Sequence, residues 1–301
     1  MALAMAVFYG SHSSAAELKV EVVELPPLRI LAQPARAHTQ GLELVEGQYY
    51  VTARRDDLTP KRALLLRTGP AKTDWDIWDI TPERSPGAGV EFDHPGGMQS
   101  DGTRLWIPLA ESKRNGRSLV CAFSLAGMKA RSQLKPVVAF PVNDHIGALA
   151  VSAERGELLG ANWDTEKIYV WDLKGNQQRV LNGSEMKERE LGVVTGPDGR
   201  AGVTVQDWKV VGNRLFASGL FRSSQSTSVS PASRLCWFEH FLERDFRRWV
   251  VPLSHRDDIE LANEAMAIAV GRVYFLPEDL GASNRLFRVS LPELTKLNDT
   301  P

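Results

Sequence analysis

Three of the six histidines in this chain, His38, His94 and His145, recur at intervals of 56 and 51 residues, each shortly before a short apolar stretch. Two positions further on, a second column reads Gln40, Gly96, Gly147, Gln206 and Glu264, and the histidine column itself continues as Thr204 and Ala262. Three imidazoles brought together by a repeat could hold a divalent metal ion, because a catalytic zinc-like site needs three protein ligands and an open position. On that reading the metal is the candidate cofactor, and Glu264 or Asp207 is the general base. The other reading is architectural: each ring bonds the neighbouring repeat and fixes its register. Asp93 and Asp144 directly precede two of the histidines and could orient the imidazoles under either reading.

Polar residues in the same part of each repeat are the candidate ligand contacts. They are Gln40, Gln99, Gln206 and Asn263 at the start of the first stretches, and Arg54, Glu111, Trp163 and Arg222 in the connections that follow the second stretches. Convergent polar groups in a concavity mark a binding site. A mouth with both Arg and carboxylates suits a small polar or anionic molecule, and Trp163, between Asn162 and Asp164, offers a face on which a ligand could stack. Any one of these loop residues taken alone is explained by solvent exposure, with Trp163 the exception.

The elements that would bring these residues together follow from the repeat. Leu42, Met98, Leu149, Trp208 and Met266 recur at intervals of 56, 51, 59 and 58 residues. Each begins a unit of a short apolar stretch, a turn rich in Gly, Asn or Asp, a richer apolar stretch at 49–53, 104–109, 158–163, 214–220 or 272–276, a polar loop, and a third stretch at 63–67, 118–123, 167–173, 234–238 or 284–289. The stretches are short, β-branched or aromatic and bounded by breakers, so they read as strands joined by tight hairpins. Fourth strands are expected at 75–80, 137–142, 178–181 and 247–253, and Trp75 and Trp78 alternate with polar residues on the first as on a half-buried outer strand. A period in the fifties with four strands per unit is a propeller blade. The fifth unit lacks a fourth strand, and 19–31 is free to supply it and close the ring, leaving no open edge. The expectation is an all-β, single five-bladed β-propeller of four-stranded blades over 17–301, with a short helix near 184–190.

Composition bounds the function. A net charge of −1 with both signs interspersed argues against nucleic acid as a partner. Cys121 and Cys236 exclude a disulfide scaffold, and because they fall on third strands of non-neighbouring blades they are expected to be unpaired. No segment is long and apolar enough to span a bilayer, and a monomer is expected. The apolar residues 1–9 and the small residues up to Ala16 read as a signal peptide without a basic start, or as a disordered tail. A secreted or periplasmic location would follow from the first of these.

With Thr39-Gln40-Gly41-Leu42 on the first inner strand, the chain distantly resembles the glutamine cyclotransferase family, and its histidines resemble those of uncharacterised bacterial five-bladed propellers. The cyclotransferase resemblance implies a five-bladed propeller with an active centre in the channel and carries over Gln40 alone. This chain has Tyr50-Val51-Thr52-Ala53-Arg54 and Pro95-Gly96-Gly97 where that family has other motifs. Four functions remain: binding of a small polar ligand or metal ion at the channel mouth, a metal-assisted hydrolase or lactonase, a cyclotransferase using Gln40 and Glu264, and a protein-interaction scaffold.

Overall fold

In the computed structural model, residues 19–83, 91–126, 128, 134–192, 201–222, 232–253 and 259–290 are described. The segment 1–16, the loop that follows Arg222 and the chain beyond Ser290 lie outside them, as does the question of a signal peptide.

Five antiparallel sheets of short strands are arranged as successive blades. Blade 1 runs His38–Val45, Gln48–Arg55, Arg62–Thr68 and Asp76–Asp79. Blade 2 has an inner strand in two pieces, His94–Pro95 and Gln99–Ser100, followed by Arg104–Ala110, Ser118–Ser124 and Val138–Val142. Blade 3 runs Ile146–Ser152, Glu157–Asn162, Ile168–Asp172 and Gln177–Leu181. Blade 4 runs Gly202–Val211, Arg214–Arg222, Ala232–Glu239 and Arg247–Pro252. Blade 5 has Ala265–Ala269, Arg272–Leu276 and Asn284–Ser290. The short helix is Gly183–Glu188. The chain is thus a five-bladed β-propeller.

Local chemistry explains the hairpins. Glu46-Gly47 and Val270-Gly271 are two-residue turns in which both residues have positive φ, the backbone that matches the twist of the flanking strands. The ring closes through Val20–Leu25, which pairs antiparallel with Asn284–Val289 as the fourth strand of blade 5. This strand is shorter than the expected 19–31, because Pro26 and Pro27 lack the N–H donors that would continue the ladder. Arg29–Ile30 instead forms a small ribbon with Gln33–Pro34.

The apolar core is divided among the blades. Apolar side chains collect in layers between adjacent blades: Tyr50, Leu65 and Trp78 of blade 1 pack on Met98, Leu105 and Phe123 of blade 2, and equivalent clusters join the other four pairs. Trp75 and Trp78 belong to these layers and are buried, while Asp79 of the same outer strand is exposed. Trp78 faces blade 2 and Trp75 faces blade 5, and the Trp75 indole donates to the Pro26 carbonyl at 2.9 Å. Cys121 and Cys236 are both free and buried in third strands.

The axis is polar and closed at one depth. Inner strands turn an unpaired edge towards it, and buried N–H groups there must find acceptors. Asp207 accepts from the backbone of Leu42 (3.1 Å), Trp208 (2.8 Å) and Met266 (3.0 Å) and from Lys209 Nζ at 2.6 Å. Gln99 Oε1 accepts from Val151 and Val210, and its amide donates to the Val210 carbonyl. Glu43 accepts from Leu44 and Ser100. Three side chains therefore serve donors from all five inner strands. Blades 2 and 3 also touch directly, through Gly97 N–H to the Gly147 carbonyl and Leu149 N–H to the Gly97 carbonyl, both 2.9 Å. A Cβ on Gly97 would meet Asp207 Oδ1 at 2.6 Å, so this approach requires glycine.

Replacing Asp207 by Asn turns an N–H group towards these donors and strands the buried Lys209 ammonium. Asp207→Asn is expected to destabilise the protein by about 3–5 kcal/mol, read from urea unfolding at neutral pH.

Candidate functional site

At the other end of the channel the inner strands of three blades carry a bulge at the same place. The register slips between Thr39 and Gly41, between Ile146 and Ala148, and between Val205 and Asp207, leaving Gln40, Gly147 and Gln206 unpaired. A bulge re-aims its extra side chain, here out of the ladder and into the channel. Gln40, Gly147 and Gln206 line a cavity of about 190 Å³ together with His94, His145, Asn162, Trp163, Asp164, Thr204, Val205 and Arg222.

Each histidine reaches back to the preceding blade, to the end of its second strand or the connection after it. His38 Nδ1 lies 2.7 Å from Asp279 of blade 5. His94 Nδ1 lies 2.9 Å from Arg54 of blade 1, and its Nε2 lies 2.9 Å from Gln40 Oε1. His145 Nδ1 lies 2.8 and 3.1 Å from the carbonyls of Glu111 and Lys113 in blade 2. Blades 4 and 5 make the same link with other residues: Val205 N–H donates to Thr165 Oγ1, and Ala262 N–H to Ser233 Oγ. The column side chain is an inter-blade latch in blades 1, 2 and 3; in blade 4 Thr204 bonds the Leu220 carbonyl of its own blade, and backbone N–H groups make the links of blades 4 and 5.

These bonds settle proton positions. A guanidinium only donates, so Nδ1 of His94 accepts, and Nε2–H donates to Gln40 Oε1. Carbonyls only accept, so His145 carries its proton on Nδ1 and leaves the Nε2 lone pair uncommitted. Burial depresses both imidazoles below the ordinary histidine range, for His94 well below it with the Arg54 charge adding to the effect. Both rings are neutral at neutral pH. They meet edge to face at 5.1 Å between centroids, and the Trp163 ring lies 4.5 Å from His145.

The expected metal triad is not assembled. His38 is not in the cavity wall, both nitrogens of His94 are committed, and among the described residues no group of three His, Cys, Asp or Glu is placed to hold a metal ion. Asp93 and Asp144 do not orient the imidazoles. Asp93 accepts from Ser112, while Asp144 accepts from the His145 backbone, Asn162 and Tyr169.

The other expected site residues divide in two. Gln40, Gln206, Trp163 and Arg222 line the cavity. Asp207 and Gln99 do not: both belong to the buried axial network, so Asp207, fully buried among four donors, is no general base. Arg54 is turned into the wall, donating to His94, Ser112 and Asp56. Glu111 holds its own loop through the Arg117 N–H at 2.6 Å. Asn263 donates to Glu264 Oε1 at 3.0 Å. Burial pushes the Glu264 carboxyl up to about 8, with the Asp279 charge adding and Arg222 and Arg54 opposing. Glu264 is thus a protonated acid at neutral pH, a donor where the sequence predicted a base. Sequence reasoning missed Lys209, Glu43 and Tyr169. Lys209 was detectable as a charge two residues after Asp207, on the same face of a strand.

Residues 79–258, well over half the chain, match a family of unknown function, DUF6454. The chain belongs to that family. No curated protein matches this DUF6454 chain, and the cyclotransferase resemblance finds no support there. A structure of the GH130 family of mannoside phosphorylases, which contains glycoside hydrolases targeting β-1,2-mannosidic linkages in Candida mannan, superposes with a TM-score of 0.52 at 9% identity. That match covers 87% of this chain and 85% of the other. The WD40 domain of Toxoplasma gondii coronin gives a TM-score of 0.47 at 10% identity over 91% and 87% of the two chains. A structural genomics protein of unknown function from Bacteroides thetaiotaomicron gives 0.47 at 12% identity over 91% and 77%. At such identities the GH130 likeness is one of fold alone.

The raised Glu264 carboxyl has a pH signature. Between the unfolded value of 4.5 and the folded value of about 8 the folded state holds the extra proton. Stability from protonated Glu264 is therefore fully present below 4.5 and lost as pH rises through about 8. Glu264→Gln, which cannot titrate, should gain on the wild type by several degrees in Tm as the pH is raised from about 5 to about 9, measured by thermal unfolding across that range.

Proposed function

We propose that this DUF6454 propeller binds a small polar molecule at the channel mouth. The observation that carries the proposal is the pair of bulge-aimed glutamines, Gln40 and Gln206, in a half-open cavity whose walls are held by bonds between blades. Such a wall is pre-organised, so little ordering cost falls on binding. The space of about 190 Å³ equals roughly six waters at ~30 Å³ each, which fits a molecule up to the size of a monosaccharide. Trp163 supplies the apolar face and Arg222 the charge. No helix among the described residues is long and apolar enough to cross a membrane. A secreted or periplasmic monomer is part of the proposal, supported by the apolar run 1–9 and the small residues before Glu17.

Gln206→Leu tests the site, because this side chain makes no hydrogen bond among the described residues. A thermal-shift panel of monosaccharides, polyols, amino acids, simple carboxylates and hydroxy acids should contain a class that raises the Tm of the wild type and not that of Gln206→Leu. A ligand at a hundred times its Kd contributes about 2.7 kcal/mol. A panel in which no compound separates the two proteins contradicts the proposal.

A further inference from the structure

The wall of the mouth has a fixed hydrogen-bond polarity, and that polarity selects a ligand. Gln40 has its carbonyl oxygen committed to His94 Nε2–H, and His94 is itself fixed by Arg54 from the far side. The relay leaves Gln40 with an uncommitted amide N–H group and denies it the flip that would present an oxygen. His145 is fixed in the opposite sense. Two carbonyls of blade 2 hold the proton on Nδ1, so Nε2 is an acceptor. One side chain in the wall is therefore a permanent donor and another a permanent acceptor.

The charge balance points the same way. Arg54 is offset by Asp56. Asp164 lines the cavity, but its carboxylate is taken by Arg114, which also holds Glu166 at 2.9 Å. Asp279 faces His38, and Asp144 is saturated by Asn162, Tyr169 and the His145 backbone. Arg222, which lines the cavity, has no ion-pair or hydrogen-bond partner among the described residues, and the neighbouring Glu264 acid does not neutralise it at neutral pH. A guanidinium with its fork unfilled, in the wall of the same cavity as an amide N–H group, offers a carboxylate its donors.

We infer that the mouth takes a small hydroxy-carboxylate, its carboxylate held by Arg222 and the Gln40 amide N–H group and its hydroxyl donating to Nε2 of His145. The inference rests on the binding site proposed above and adds its ligand class. A neutral sugar leaves Arg222 unpaired, and an ammonium meets Arg222 with like charge. A plain carboxylate leaves the His145 lone pair without a donor.

The test is isothermal titration at neutral pH with four probes of similar size: lactate, propionate, lactamide and glycerol, together with the wider panel already described. Lactate is expected to bind at least tenfold more tightly than propionate, which lacks the hydroxyl, and than lactamide, which lacks the charge. Arg222→Gln should cost lactate at least tenfold while leaving the Tm of the free protein unchanged. Gln40→Glu, which keeps an oxygen for His94 and removes the donor, should abolish lactate binding. Lactamide or glycerol binding as tightly as lactate, or lactate binding that survives Arg222→Gln, overturns the ligand class and leaves the mouth as a binding site if Gln206→Leu still removes the signal. Absence of binding by every probe in both sets overturns the ligand class and the binding site together.

Discussion

Five sheets arranged around an axis leave five strand edges with nowhere to pair, and the rest of this structure depends on how those edges are satisfied. In the buried part of the channel each N–H left without an acceptor would cost about 1–3 kcal/mol. Asp207, Gln99 and Glu43 answer with side-chain oxygens that accept from strands of different blades. The solution is charged, with Asp207 matched by the buried Lys209 at 2.6 Å, and burial pushes the Glu43 carboxyl up to about 7. It also demands close approach, which is why Gly97 stands against Asp207. Apolar burial between blades drives the assembly, but this knot sets where the blades sit relative to one another.

At the mouth the same problem has a different answer. There the links between blades run through imidazoles of blades 1, 2 and 3 that reach back one blade, and through the Thr165 and Ser233 hydroxyls, which accept from backbone N–H groups of the following blade. Using histidine for that task has a chemical by-product. An imidazole held at one nitrogen by a partner of known polarity presents a known polarity at the other. The latch therefore writes a donor and acceptor pattern onto the cavity wall, and the bulges at Gln40 and Gln206 place amides within it. Architecture and cavity lining are not alternatives for these histidines, since His94 and His145 do both.

The repeat was legible in the sequence because strand period, turn residues and blade spacing all agree, and the column of Gln40, Gly147 and Gln206 was legible because pseudo-symmetry repeats it. The missing fourth strand of blade 5 was likewise legible from counting, though Pro26 and Pro27 trim it to Val20–Leu25. What could not be read was direction. Sequence places His94 and His145 in one column, yet one bonds through both nitrogens and the other through one, because their partners, Arg54 and the carbonyls of Glu111 and Lys113, differ only in space. Asp207 and Gln99 were read as site residues since polar side chains near an inner strand look alike in sequence. Their depth along the axis, which decides between solvent and burial, is set by pairing register and by the breaks at Gly96 and Gly97.

The central claim is that bonds from neighbouring blades fix the two cavity imidazoles as opposite neutral tautomers. Long-range proton–nitrogen NMR of the histidine rings at neutral pH reads this directly. The account predicts His94 neutral with its proton on Nε2 and His145 neutral with its proton on Nδ1. Two rings in the same tautomer, or either ring charged at that pH, would contradict it.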